Sequence, residues 1–339
     1  MYDVEETRRQ NGGLMMIDAQ GRTIDYVRIS VTDRCNLRCV YCMPENGIPM
    51  ATHEDLLGFE EIERLCRILA EVGIRKVKLT GGEPLVRKDF VELVRKIKAI
   101  KGIEKVTLTT NGVLLEKEMD GLAAAGINGI NISLDTLNPK KFEEITRRDS
   151  FNKVYRGIQK ALTYPEISLK LNCLPLGLED QNLEDIAELA RDNEMHIRFI
   201  EVMPIGQGKN YKFLSEIQIV EMLEKKFGKM VPFNEKLGYG PGHYYSIDGF
   251  QGKIGFISAI SHKFCGSCNR IRLTAEGYLK SCLQYDTGRD LRKLLRAGAT
   301  DEEIKEAIVH AIDEKPIEHI FLSGHIDQEE HHNMSQIGG

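Results

Sequence analysis

A short β-branched run followed by a helix-like stretch recurs six times between Tyr26 and about Glu201, and this rhythm constrains the fold more than any other feature. The strand-like runs are 26–32, 76–80, 105–111, 128–134, 167–173 and 196–202. Helix-like stretches such as 60–71 and 89–100 stand between them, with apolar residues three and four apart. Strands alternating with helices imply βαβ units and a parallel sheet. Parallel strands covered on both faces normally read as continuous apolar runs, and these do not. In the first, Val27, Ile29 and Val31 alternate with Tyr26, Arg28, Ser30 and Thr32. The second sets Val77 and Leu79 against Lys76, Lys78 and Thr80. The fifth sets Ile167, Leu169 and Leu171 against Ser168, Lys170 and Asn172, and the sixth puts His196 and Arg198 together. Side chains alternate faces along a strand, so each strand has an apolar and a polar side. With helices on the apolar sides, the polar sides line a shared interior. The expectation is an α/β fold, an open or partial barrel with a wet cationic cavity, not the packed aliphatic core of a closed barrel. Arg28, Lys76, Lys78, Lys170 and Arg198 would project into it. Buried cations need anions, and the matching positions hold few carboxylates, so a polyanion such as a triphosphate fits. The competing reading is a half-exposed sheet whose polar face meets water; the intervening helices weigh against it.

After Met203 the rhythm stops. A loop at 204–212, a helix at 215–227, a Gly/Tyr-rich stretch at 238–252 and helices near 288–297 and 301–313 read as a smaller extension packed against the barrel. The expected division is a polar arm at 1–25, the partial barrel at 26–203, the extension at 204–327 and a tail at 328–339 ending in Gly338 and Gly339. A formal net charge of −5 argues against a general nucleic-acid or acidic-membrane binder. No apolar run approaches the roughly 18 residues of a membrane span. The first 25 residues carry charges throughout and show no secretory signal, so the expected location is cytoplasmic.

Eight cysteines without a secretory signal make a disulfide framework a poor fit. Cys35, Cys39 and Cys42 form CxxxCxxC just after the first strand, where barrel enzymes place their active-site loops. With this cysteine content, such a triplet would arise by chance about 0.004 times in a chain of this length. Three thiolates on a short loop can hold three irons of a [4Fe–4S] cluster and leave the fourth open. Zinc would want a fourth ligand close by, for which His53 is the nearest candidate. Cys265, Cys268 and Cys282 form a second triplet. Its spacing alone leaves two readings: structural zinc with His262 as fourth ligand, or another cluster with one open iron. Arg270 and Arg272 alternate on a strand-like segment beside it, a pairing suited to a phosphate or a purine edge.

CxxxCxxC with Tyr41 before the last cysteine resembles the radical S-adenosylmethionine superfamily, and Gly81–Gly82–Glu83–Pro84 resembles its GGEP segment. From about Asp25 to Gly339 the chain is similar to that superfamily's GTP 3′,8-cyclase family. The resemblance rests on YVRISVTDRCNLRCVYCMP, KVKLTGGEPLVRKDF, NISLDTL, RFIEVMP, FCGSCNRIRLT and the terminal Gly-Gly. It implies an incomplete (β/α)6 TIM-type barrel with a C-terminal extension. It also moves the second triplet from zinc to iron–sulfur, giving two [4Fe–4S] clusters. Tyr41, Gly81, Gly82, Glu83, Ser133 and Met203 would contact S-adenosylmethionine. Arg28, Lys76, Lys78, Thr109, Lys170, Arg198, Arg270, Ile271 and Arg272 would contact GTP. Arg28, Arg270, Arg272 and the tail residues Gly338 and Gly339 are the implied catalytic group. The implied reaction makes 3′,8-cyclo-7,8-dihydro-GTP: a 5′-deoxyadenosyl radical removes the C3′ hydrogen, and C3′ attacks guanine C8. Implied partners are an electron donor such as flavodoxin, a downstream pyranopterin-forming enzyme and a second copy in a homodimer. Cys66 and Cys173 match no cluster motif and read as buried thiols. The rival readings are a radical peptide-modifying maturase and a zinc-stapled binding protein.

Overall fold

The computed structural model describes residues 9–10, 13–321 and 334–338. Gly339, residues 322–333 and most of the first twelve residues, which include parts of the expected tail and arm, lie outside the described residues. The chain divides into two compact units, one of residues 1–35, 49–107 and 265–339, the other of 36–48 and 108–264.

After a two-residue pairing at Arg9–Gln10 and Gly13–Leu14, the repeat begins with β1 (Tyr26–Ser30), α1 (Phe59–Glu71), β2 (Lys76–Thr80), α2 (Phe90–Lys98) and β3 (Lys105–Thr110). It continues with α3 (Leu115–Ala124), β4 (Gly129–Ser133), α4 (Pro139–Thr146), α5 (Phe151–Leu162), β5 (Ser168–Cys173), α6 (Leu183–Glu188) and β6 (His196–Ile200). Then come α7 (Glu216–Phe227), β7 (Met230–Phe233), β8 (His243–Ile247), β9 (Ile254–Ile257), β10 (Arg270–Leu273), β11 (Tyr278–Lys280), β12 (Gly288–Asp290), α8 (Leu291–Arg296) and α9 (Asp301–Asp313).

In the first unit β1 pairs in parallel with β2 on one side and with β10 on the other. β10 then turns back through antiparallel β11 and β12. In the second unit β4, β5 and β6 are parallel neighbours. β9 adds to β6 in parallel, followed by antiparallel β8 and β7. The extension therefore does more than pack against the repeat: it gives each unit a further parallel strand. The edges of β1 and β6 would otherwise present unpaired backbone groups. The segment 288–297 is also not one helix. Gly288 and Asp290 lie in β12, where a Cβ on Gly288 would meet the Leu279 carbonyl at 2.0 Å. The helix starts only at Leu291, where the Asp290 carboxylate accepts the Lys293 N–H.

The alternation has the consequence read from it. Val27, Ile29, Val77 and Leu79 are fully buried or nearly so, and α1 supplies Ile62, Leu65, Cys66, Ile68 and Leu69 with no exposure. The polar faces are buried too: Ser30, Thr32, Lys78 and Thr80 in the first unit, Asn131, Lys170 and Asn172 in the second. A half-exposed sheet is thereby excluded. Among the described residues, no helix is long and apolar enough to cross a membrane.

Candidate active site

The loop leading into the first cysteine triplet is held by the Gly-Gly segment. Gly82 N–H donates to Thr32 O at 2.7 Å, and Glu83 N–H donates to Arg34 O at 2.8 Å. A Cβ on Gly82 would lie 2.4 Å from Arg34 O and 2.6 Å from Asp33 O; one on Gly81 would lie 2.5 Å from Thr32 O. Backbone at that distance leaves room for glycine alone. Glu83 is fully buried and caps the following turn, accepting from Leu85 N–H at 3.0 Å. The glycines thus fix the approach to Cys35, whose thiol, like those of Cys39 and Cys42, is half-buried.

Tyr41 is anchored rather than free to swing. Its hydroxyl donates to Asp135 Oδ2 at 2.7 Å, while Leu174 N–H donates to Asp135 Oδ1 at 2.9 Å. Burial lifts the Asp135 carboxyl to about 6 despite these donors, and burial together with Asp135 pushes the Tyr41 hydroxyl well up. Asp135, from the NISLDTL segment, was not singled out by the sequence reading. A cavity of about 20 Å³ beside it is lined by Leu37, Cys39, Tyr41, Asn111 and Ser133 among others, so the two expected cofactor contacts Tyr41 and Ser133 share one wall with Cys39. Met203 is half-buried beyond the end of β6, its carbonyl accepting from Ile205 N–H at 2.8 Å.

The cations fall into two sets. In the first unit the register places Lys280, Arg272, Arg28 and Lys78 side by side on β11, β10, β1 and β2. Lys280, which the sequence reading missed, is 1% exposed. Arg272 is buried, and that burial, with Arg28 and Arg270 beside it, draws its guanidinium well down. The tail meets this row. Gly338 O accepts from Arg28 Nη2 at 3.3 Å and from Arg272 Nη1 at 3.1 Å. Gly338 has φ +78°, and a Cβ there would press on Ser30 and Thr80 at 3.2 Å, so glycine suits the position twice over. Lys76 differs from its neighbours: its ammonium pairs with Asp25, whose other oxygen takes Asn269 Nδ2 at 2.7 Å.

In the second unit, Lys170 and Arg198 project from β5 and β6. Arg198 donates twice to Asn172 Oδ1, at 3.0 and 2.6 Å. Lys170 donates to Ser168 Oγ at 2.9 Å; burial, then Arg198, lowers its ammonium to about 7. Burial and the same cations hold His196 near 4, so it stays neutral. Thr109 Oγ1 accepts from Asn131 Nδ2 at 3.5 Å.

The second triplet is half-buried and lies wholly in the first unit. Arg270 Nη2 stands 4.0 Å from Cys268 Sγ. Burial alone would raise the Cys268 thiol, but Arg270 and Lys315 bring it down to about 7. His262 is 63% exposed at its side chain and faces Glu216 at 3.8 Å. Among the described residues no three His, Cys, Asp or Glu side chains converge on a single metal ion. Cys66 and Cys173 are fully buried; burial pushes Cys66 to about 12 and raises Cys173 as well. Neither has the character of a ligand or nucleophile.

The sequence profile described as "Radical SAM superfamily" matches residues 29–192, and that described as "Molybdenum Cofactor Synthesis C" matches 195–321. A GTP 3′,8-cyclase of Desulforamulus reducens is 45% identical over 96% of this chain and 100% of its own length. One of Heliobacterium modesticaldum is 46% identical over the same shares. This chain belongs to the GTP 3′,8-cyclase family. Among solved structures, SuiB of Streptococcus suis superposes with a TM-score of 0.61 at 14% identity, covering 88% of this chain and 68% of SuiB. The same protein bound to S-adenosylmethionine gives 0.57 at 16% identity, with shares of 83% and 67%. Those likenesses show a radical SAM α/β fold. Membership brings S-adenosylmethionine and an iron–sulfur cluster as cofactors.

Proposed function

We propose that this chain converts GTP to 3′,8-cyclo-7,8-dihydro-GTP, the first step of molybdenum cofactor biosynthesis. The observation that carries this beyond family likeness is the seat of Gly338 between Arg28 and Arg272 in the buried cation row. In this reading the fold is an incomplete (β/α)6 barrel over 26–203, extended by 204–327. The meeting of the two matched profiles near residue 195 supports that division.

Cys35, Cys39 and Cys42 would hold the first [4Fe–4S] cluster, and Cys265, Cys268 and Cys282 a second. When bound, the first cluster and S-adenosylmethionine supply the 5′-deoxyadenosyl radical that starts the cyclisation at C3′. The chain's own part is to bind, orient and exclude water. Gly81, Gly82 and Glu83 set the cluster loop, while Tyr41, Ser133 and Met203 contact the cofactor. Arg28, Lys78, Arg270, Ile271 and Arg272, with Thr109, Lys170 and Arg198, contact the nucleotide; most are cations suited to its phosphates. Lys76 reaches it only by leaving Asp25, so its part is the smallest of the set. Gly338 brings peptide backbone against the catalytic arginines, and Gly339 completes the proposed tail. A cytoplasmic homodimer served by a flavodoxin-like reductant, its product passed to a pyranopterin-forming enzyme, completes the reading.

The test is 5′-deoxyadenosine release by the anaerobically reconstituted protein with S-adenosylmethionine and dithionite, with and without GTP. Release that requires GTP, alongside a cyclised nucleotide, is expected. Cleavage indifferent to GTP would sink the substrate assignment and favour a peptide. No cleavage with a full iron complement would sink the proposed radical chemistry.

A further inference from the structure

Lys315 lies two residues beyond α9 and is 4% exposed. Its ammonium donates to Arg270 O at 2.9 Å and to Ser281 O. Arg270 stands two residues after Cys268, and Ser281 immediately precedes Cys282. One buried side chain therefore ties together the backbone that carries two of the three thiols. The third is tied through Arg22, whose guanidinium donates to Cys265 O at 3.1 Å and also to the carbonyls of Lys315, Pro316 and Ile317. Asp18 balances Arg22 at 2.6 Å. Among the described residues no carboxylate balances Lys315; its charged surroundings are the thiols of Cys268 and Cys282, which favour the ammonium, and Arg22 and Arg270, which oppose it. A buried ammonium is costly unless compensated, and two carbonyl dipoles compensate only in part.

A [4Fe–4S] centre on three thiolates carries net negative charge, and reduction adds another. A neighbouring cation stabilises the reduced form more than the oxidised one. We propose that Lys315 is a positioning residue for the second cluster, holding the Cys268 and Cys282 segments in place and raising the cluster's reduction potential. This rests on reading the second triplet as an iron–sulfur site.

The experiment uses the full chain with Cys35, Cys39 and Cys42 changed to alanine, so that only the second cluster assembles. Iron per chain is measured first, then the potential by EPR-monitored redox titration. Lys315→Met is expected to keep about four irons per chain, as the parent does, and to titrate at lower potential. Lys315→Arg, which keeps the charge, is expected to titrate close to the parent. Iron lost from Lys315→Met but kept by Lys315→Arg at the parental potential also supports the proposal. An unmoved or higher potential in Lys315→Met, or iron lost from both variants, overturns it. A parent without iron overturns the reading of the triplet itself, and this inference with it.

Discussion

With Lys170 in its proposed place against the nucleotide, binding becomes a proton-linked event. Burial and Arg198 hold its ammonium near 7, against an ordinary lysine value of 10.5. A triphosphate beside it favours the charged form and lifts it again, so GTP binding above pH 7 takes up a proton. At pH 8 the protein without nucleotide is about one-tenth protonated at this position, so uptake approaches ~0.9 proton per site. Between pH 7 and pH 8 the protonated fraction falls from about one half to about one tenth, weakening GTP binding about fivefold. The stability of the nucleotide-free protein moves the other way. Between pH 7 and 10.5 the unfolded chain holds the Lys170 proton and the folded chain does not, so this residue's contribution to stability rises with pH across that window. His196, near 4, is neutral in the folded chain across this window, and its own contribution falls almost wholly below pH 7. Titration calorimetry on the anaerobic holoenzyme, in buffers of different ionisation enthalpy at pH 8, reads the uptake directly. Lys170→Met should remove it and flatten the pH dependence of affinity; the comparison cancels any titration of GTP itself. Zero uptake by the native protein at pH 8 would refute the reasoning.

Two further perturbations test the site's backbone. Gly82→Ala puts a methyl 2.4 Å from Arg34 O, which must move. The expected result is a loss of about 1–3 kcal/mol in a denaturant melt, with less iron bound at the first triplet; full iron and an unchanged melt would contradict the cradle. Deleting Gly338 and Gly339 should abolish cyclised-nucleotide formation while iron content stays at the native level, since neither glycine has a side chain that could ligate iron. Native turnover after that deletion would remove the tail from the mechanism.

Much of this was legible because strand alternation has a fixed period. Arg28 and Lys78 lie on the polar faces of neighbouring βα units, and period two sufficed to assign those faces, while the register that sets the two opposite each other came from the structure. The Cys35–Cys42 spacing and the Gly-Gly segment were legible because each acts within a few residues of itself. Asp135, Lys280 and Lys315 were not, for a shared reason. Asp135 matters through Tyr41, 94 residues away in sequence. Lys315 matters through Arg270 and Ser281, 45 and 34 residues away. Lys280 is significant only because β11 turns back to set it opposite Arg272. Lys76 shows the converse. Alternation alone gave it the same standing as Lys78, but Asp25, just before β1, takes its ammonium.

On the proposed reading, the cation row is what suits this fold to a triphosphate. Like charges at adjacent register positions destabilise a sheet, yet Lys280, Arg272, Arg28 and Lys78 occupy four neighbouring strands of the first unit, with Asp286 pairing Lys280 at the row's end at 3.6 Å. The effect is visible at Arg272, which burial, Arg28 and Arg270 all make less willing to carry its charge. The Gly338 carbonyl offers the two arginines a dipole but no net charge. A triphosphate offers several negative charges at once. Bound as proposed, it would add contacts and also relieve the repulsion felt at Arg272. By mass action, whatever stability the row costs the nucleotide-free protein returns as preference for the bound state. A ligand without comparable negative charge would bring no such relief, so on this reading the row would favour a polyanion before any contact with the base or sugar is made.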